Sequence, residues 1–176
     1  MAVIEAIATT YLEADVASVT FTSIPATYEH LQLRMSPMGD RTASNTWYLY
    51  LRLNGDTGTN YSNHQMYGFS GTSQYVARYT GQDMHWTPHL PTLGGNAASY
   101  GGHIIDIFDY ANTNKNTTFS ITSGVATGTT SVGWFSGLWD NTAAVDEIWL
   151  APDNVGTDDC IWQRGSSFTL YGLNSS

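Results

Sequence analysis

The chain has 176 residues, with six Lys or Arg against fifteen Asp or Glu, and a formal net charge of -9. This shortage of cations argues against binding to a nucleic-acid backbone or to an anionic membrane surface. Seventeen glycines and a 13% aromatic fraction accompany a charged fraction of only 12%, a composition typical of strands joined by turns. The single cysteine, Cys160, excludes an internal disulfide framework.

The predicted elements are short strands in which apolar and polar residues alternate. Residues 3–12 combine a helical spacing with strand-forming Thr and Tyr, so their element stays open. Asn54 and Gly55 predict a tight turn. Residues 80–99 contain two prolines and a Gly-Gly pair, and they predict a long functional or interfacial loop. The predicted strands are residues 18–22, 30–35, 47–53, 61–69, 74–79, 103–108, 117–122, 131–139, 145–150 and 166–171.

Eight to ten such strands without a convincing helix predict an all-β fold. Its expected form is an antiparallel two-sheet sandwich, most simply a jelly roll. The length suits one sandwich domain over residues 17–176, preceded by an N-terminal arm or edge strand over residues 1–16. No run approaches the ~20 apolar residues of a membrane span, and the first residues lack the pattern of a signal peptide. We therefore expect a protein made in a cytosol.

Two carboxylates, Asp106 and Asp109, are the first candidates for chemistry. Three positions apart on a strand, they point to opposite faces, whereas a metal or glycosidase pair must converge. Asp109 then begins an Asn-rich turn, with a calcium site over residues 109–116 as the alternative. His85 and His89 would converge on zinc only in a helix, which Pro88 opposes. No catalytic motif is found, so the sequence predicts no enzymatic activity, no cofactor and no metal.

The aromatic residues predict a contact surface. If Trp47 and the leucines of residues 47–53 face the core, then Tyr48, Tyr50 and Arg52 face outward, and Tyr, Trp and Arg are the residue types that anchor interfaces. Docking on a partner or a second subunit is the favoured interpretation. Stacking against a sugar and ordinary core or rim packing are the alternatives. The predicted interface residues are Tyr48, Tyr50, Arg52, His85, Trp86, His89, Trp139 and Trp149.

Several stretches occur in a familiar order: ASVTFTSIPATYEHLQLR (17–34), LYLRLNGDTGTNYS (49–62), IIDIFDYANTNKNTT (104–118), SGLWDNTAAVDEIWL (136–150) and SSFTLYGL (166–173). Together they resemble a family of small virion structural proteins of tailed bacteriophages, including marine and cyanobacterial phages. The resemblance covers about residues 5–173. As a group these motifs are fairly specific, although each alone is weak.

This resemblance implies a virion part and brings no catalytic residues with it. We expect a capsid decoration (cement) protein, made in the host cytoplasm, that binds the major capsid protein on the outer capsid surface as a homotrimer. The alternative is a tail-fibre or receptor-binding protein that holds a host surface glycan with its aromatic residues and the 80–99 loop.

Overall fold

The computed structural model describes residues 3–71, 73–95, 98–126, 130–153 and 160–175. Within these ranges the chain forms twelve β-strands, and no helix long and apolar enough to span a membrane is found there. The strands are β1 Val3–Tyr11, β2 Val19–Phe21, β3 His30–Ser36, β4 Thr46–Leu53, β5 Tyr61–Phe69, β6 Ser73–Gln82, β7 His85–Pro91, β8 Gly102–Phe108, β9 Thr117–Ala126, β10 Thr130–Trp139, β11 Ile148–Pro152 and β12 Ser167–Asn174.

The strands form two antiparallel sheets. The large sheet has the order β1-β12-β3-β8-β9-β10-β5-β6, and the small sheet has the order β2-β11-β4-β7. From β1 to β4 the chain alternates between the two sheets, and β7 and β11 return to the small one. The predicted all-β antiparallel sandwich is thereby confirmed.

The core lies between the sheets and follows from the period of two in each strand. On β3, Leu31 and Leu33 are fully buried, and so is Ile105, the partner of Leu33 on β8. From the small sheet, Leu51 and Leu150 are paired and fully buried. Because alternate residues of every central strand point into this layer, the residues between them are left for the two outer faces of the sandwich.

The predicted turn after β4 is present. Asn54 and Gly55 both have positive φ, at 52° and 62°, which an Asn-Gly pair accommodates in a tight turn. The Asn54 carboxamide accepts hydrogen bonds from the backbone of Asp146 and Glu147 at 2.9 and 3.1 Å. This turn therefore also fixes the approach to β11.

Two segments for which the sequence did not predict a strand outright both contain one. Val3–Tyr11 pairs with β12 and forms one edge of the large sheet, which is the edge-strand alternative for the N-terminal segment. The prediction of a loop over residues 80–99 is wrong, because β7 occupies His85–Pro91. Pro88 and Pro91 are tolerated there because β7 pairs only with β4, at the edge of the small sheet.

Candidate functional site

Five of the predicted interface residues lie together on the outer face of the small sheet. Tyr48, Tyr50 and Arg52 come from β4, Trp86 from β7 and Trp149 from β11, and all five are half-buried. We call this set the aromatic cluster. Tyr50 is paired with Trp86, and Arg52 is paired with Trp149, which brings the five side chains onto one patch.

The members of the aromatic cluster cover one another. The Arg52 guanidinium lies 5.1 Å from the centre of the Trp149 ring, and the Tyr48 and Trp86 rings meet edge to face at 5.3 Å. Arg52 also pairs with Asp83 at 3.4 Å. Burial, followed by the nearby Asp153 carboxylate, raises the pKa of Tyr50, so its hydroxyl stays protonated. The side chains of the cluster therefore pack on one another, and the cluster carries one cation, Arg52, held on an aromatic ring.

The other three predicted interface residues are not on the surface. His85, His89 and Trp139 are only 1%, 5% and 1% exposed. Trp139 faces the core on β10, and its indole N–H donates to Asp56 at 2.7 Å. His85 packs edge to face on Phe119 at 4.7 Å. Placing these three at the surface was wrong, because residues 80–99 are not a loop and because Trp139 lies on the inward-facing side of its strand.

The aspartate pair of the sequence analysis takes two separate positions. Asp106 lies on β8 and accepts a hydrogen bond from Gln32 at 2.7 Å. Asp109 follows β8 in a turn, with φ of 48°, and forms an ion pair with Lys115. Within the described residues, no group of three or more His, Cys, Asp or Glu is placed to hold a metal ion. The two carboxylates serve the hydrogen bonding of the sheet and of the turn.

Sequence analysis missed the outer face of the large sheet. A row of apolar side chains crosses it there: Val76, Met66 and Trp134 are neighbours on β6, β5 and β10. They are 76%, 51% and 64% exposed. Thr122 on β9 and the 40% exposed Ile104 on β8 continue the row. Exposed apolar groups this close together mark an interaction site more often than chance.

A polar row runs beside the apolar one. It contains Arg78 on β6, His64 on β5, Ser136 on β10 and Ser120 on β9, each paired with the next across the sheet. Asp106 and Gln32 extend the row on β8 and β3. The two rows bound an open depression of about 730 Å³ that we call the outer groove, lined by His64, Met66, Val76, Arg78, Ser120, Thr122, Trp134 and Ser136.

The floor of the face stays open past the outer groove. A second depression of about 560 Å³ adjoins it at Thr122 and reaches Arg34 and Thr169. Three glycines, Gly68, Gly102 and Gly124, lie on this side of the sheet, and a Cβ atom added to any of them would meet nothing within 4 Å. The sequence signal for this face is that β10 carries apolar residues on both sides: Phe135 and Trp139 point to the core, and Val132, Trp134 and Leu138 point away from it.

The charge of this face differs from that of the whole chain. Arg34 and Arg78, two of the six basic residues, are exposed on it. Among the described residues that line the outer groove and the adjoining depression, none is Asp or Glu. The carboxylate that borders them, Asp106, is engaged by Gln32, which in turn accepts from Arg34 at 2.8 Å. A face with a basic excess in a chain of net charge -9 favours anionic ligands.

No protein-family model and no curated protein sequence matches the chain. Solved structures that it resembles include the alginate lyase Aly36B, at 12% identity over 95% of this chain and 79% of that one, with a TM-score of 0.33. The marine PL-14 alginate lyase from Aplysia kurodai matches at 7% identity over 87% and 72%, with a TM-score of 0.28. The CBM2 module of Lactobacillus casei BL23 phage J-1 evolved Dit matches at 11% over 90% and 69%, with a TM-score of 0.20.

These matches correct one prediction. The sequence analysis predicted no enzymatic activity, and the alginate lyases among the matched structures contradict that prediction, which we withdraw. With identities of 7–12% and TM-scores of 0.33 or less, the matches transfer no activity to this chain. They also leave the resemblance to phage virion proteins untested, and it stays a prediction.

Proposed function

We propose that this protein is a structural component of a phage virion that binds the outer shell formed by the major capsid protein. The aromatic cluster carries the proposal. It sets two tyrosines, two tryptophans and Arg52 on one sheet face, and these residue types dominate the energetically important centres of protein interfaces. The resemblance to small virion proteins supports the same assignment.

Binding of this protein would stabilise the assembled capsid by mass action. A protein that binds the assembled lattice and not its free subunits stabilises the lattice by RT ln(1 + [L]/Kd). As a homotrimer, the protein would present three copies of the aromatic cluster, so three weak contacts would combine with a high effective concentration. The half-buried rings need no reordering before they dock, which lowers the entropic cost of each contact.

The first experiment is the copy number per virion, measured by quantitative mass spectrometry against the major capsid protein. A decoration protein is expected at a copy number near that of the coat protein, or at a simple large fraction of it. A few to a few tens of copies would contradict the shell position and support the tail-fibre or receptor-binding alternative. That alternative cannot use residues 80–99 as a loop, and the observation that favours it is the exposed row around Trp134. Absence from the particle would overturn both.

A matched pair of variants tests which face docks. Thr20 is exposed on the outer face of the small sheet, beside Trp149, whereas Thr122 is exposed on the outer face of the large sheet. Placing an unpaired carboxylate in a dry interface costs more than about 1.4 kcal/mol, or tenfold in affinity. We expect Thr20→Glu to lower binding to purified capsids at least about tenfold and Thr122→Glu to leave it unchanged. The reverse result would move docking to the large sheet.

A further inference from the structure

We propose that the outer groove of the large sheet binds an acidic polysaccharide, with pyranose rings stacked on Trp134 and carboxylates held by Arg78 and Arg34. This site lies on the opposite side of the sandwich from the aromatic cluster. It is therefore independent of capsid docking, and it would face away from a shell bound at the small sheet.

The first step is the position of Trp134. Its side chain is 64% exposed at the middle of the large sheet, with Met66 on one side in the pairing and Thr122 on the other. A tryptophan held on a central strand is a fixed platform, because its backbone is bonded to β5 and β9. The apolar C–H face of a pyranose ring packs on such an indole, and a flat surrounding surface gives the ring access.

The second step is the row of polar groups along one side of that platform. His64, Ser136 and Ser120 present imidazole and hydroxyl groups on three successive strands, β5, β10 and β9, with neighbouring strands about 4.8 Å apart. A sugar is amphipathic in the same way, since its hydroxyls surround an apolar ring face. The polar row would therefore hydrogen-bond the hydroxyls of a sugar whose face rests on Trp134.

The third step is length. The outer groove and the depression that adjoins it at Thr122 extend from Val76 on β6 to Thr169 on β12. Across the seven strands from β6 to β12 this is about six strand spacings, or roughly 29 Å. Gly102 and Gly124 line the adjoining depression, and a Cβ atom added to either would meet nothing within 4 Å, so the floor is open at these two positions. An extended polymer of several sugar units fits this shape better than a compact ligand.

The fourth step is charge, which selects among polymers. Arg78 stands at one end of the groove and Arg34 toward the other, and no Asp or Glu is among the described lining residues. A uronic-acid polymer places carboxylates along its length, where two separated guanidinium groups can meet them. A second copy of this chain fits less well, because face-to-face docking would bring the arginines of both copies into one interface.

The test is affinity electrophoresis and calorimetry with polygalacturonate, and with uncharged dextran as the neutral polymer. The wild-type protein is expected to bind polygalacturonate, and more weakly as salt rises, because the Arg contacts are exposed. Trp134→Ala removes the platform and is expected to weaken binding at least about tenfold. Arg78→Gln is expected to weaken binding several-fold and to reduce its salt dependence.

The control for charge places the same substitution, Thr to Glu, on the outer face of each sheet. Thr122→Glu places a carboxylate in the groove and is expected to abolish binding to polygalacturonate, whereas Thr20→Glu on the small sheet leaves binding unchanged. Absence of wild-type binding to polygalacturonate would overturn the proposal. So would wild-type affinity in Trp134→Ala, or equal affinity for dextran. Concentration-dependent self-association that Thr122→Glu abolishes would instead assign the groove to a second copy.

Discussion

The two faces of the large sheet carry similar residue types in opposite surroundings. On β10, Phe135 is 2% exposed toward the core, while its neighbour Trp134 is 64% exposed toward the outer groove. The difference comes from what lies above each face: the small sheet covers the inner face, and none of the described elements covers the outer one at Trp134. A large aromatic residue thus serves folding on one side and remains available for binding on the other.

The largest expected effect on stability comes from truncating Phe135, and truncation of its exposed neighbour Trp134 is the comparison. Phe135→Ala opens a cavity among buried residues and is expected to lower the free energy of unfolding by about 3–5 kcal/mol. Trp134→Ala removes a ring that solvent already reaches, and we expect a change within about 0.5 kcal/mol. Urea unfolding followed by circular dichroism measures both. A loss of several kcal/mol in Trp134→Ala would show that its ring is part of the core.

Much of this fold follows from the sequence, and the failures have identifiable causes. Leu31 and Leu33 alternate with polar residues, so their faces could be predicted. On β10, the neighbours Trp134 and Phe135 point to opposite faces, and both are large aromatic residues. The pattern of polar and apolar residues therefore cannot show which face is the core and which is exposed. The groove was missed for this reason. His85–Pro91 was missed because prolines usually exclude a strand, an argument that fails at the edge of a sheet.

The aromatic cluster could be predicted in part for a related reason. Tyr48, Tyr50 and Arg52 alternate with buried leucines on β4, and their outward orientation follows from that pattern alone. The partners that complete the cluster, Trp86 and Trp149, come from strands distant in sequence, and the pairing of β4 with β7 and β11 brings them together. Whether the cluster contacts a capsid stays a prediction.

The buried histidines predict that the free energy of unfolding depends on pH. His85 is fully enclosed, and neither ring nitrogen has a hydrogen-bond partner among the described residues. Burial lowers the pKa of His85 to about 3, and burial together with nearby His89 lowers the pKa of His103 to about 4. In the unfolded chain these rings take up protons below about pH 6.5.

Below about pH 6.5 the unfolded state therefore binds more protons than the folded state. The contribution of the buried neutral histidines to the free energy of unfolding is fully present above about pH 6.5 and is lost as the pH falls. Each buried ring contributes about 1.4 kcal/mol per pH unit between 6.5 and its lowered pKa. Between pH 7 and pH 5, the free energy of unfolding of His85→Leu should therefore decrease by about 2 kcal/mol less than that of the wild type. Urea unfolding at both pH values measures this. His64→Gln, on the exposed side of β5, is the matched control, and an unchanged pH difference in His85→Leu would contradict the argument.

Two glycines give the smallest and most direct comparison of the faces. A Cβ atom on Gly137 would lie 2.0 Å from the Phe119 ring in the core, while one on Gly124 would meet nothing within 4 Å. Both are strand positions, so the change in backbone entropy is similar and the difference reports space alone. We expect Gly137→Ala to lower the unfolding free energy by about 1–3 kcal/mol through overpacking, and Gly124→Ala to change it by less than about 0.5 kcal/mol. Thermal unfolding should show a several-degree decrease only for Gly137→Ala. Equal decreases in the two variants would mean that the outer face is filled at Gly124, and the depression that adjoins the outer groove would then not be open there.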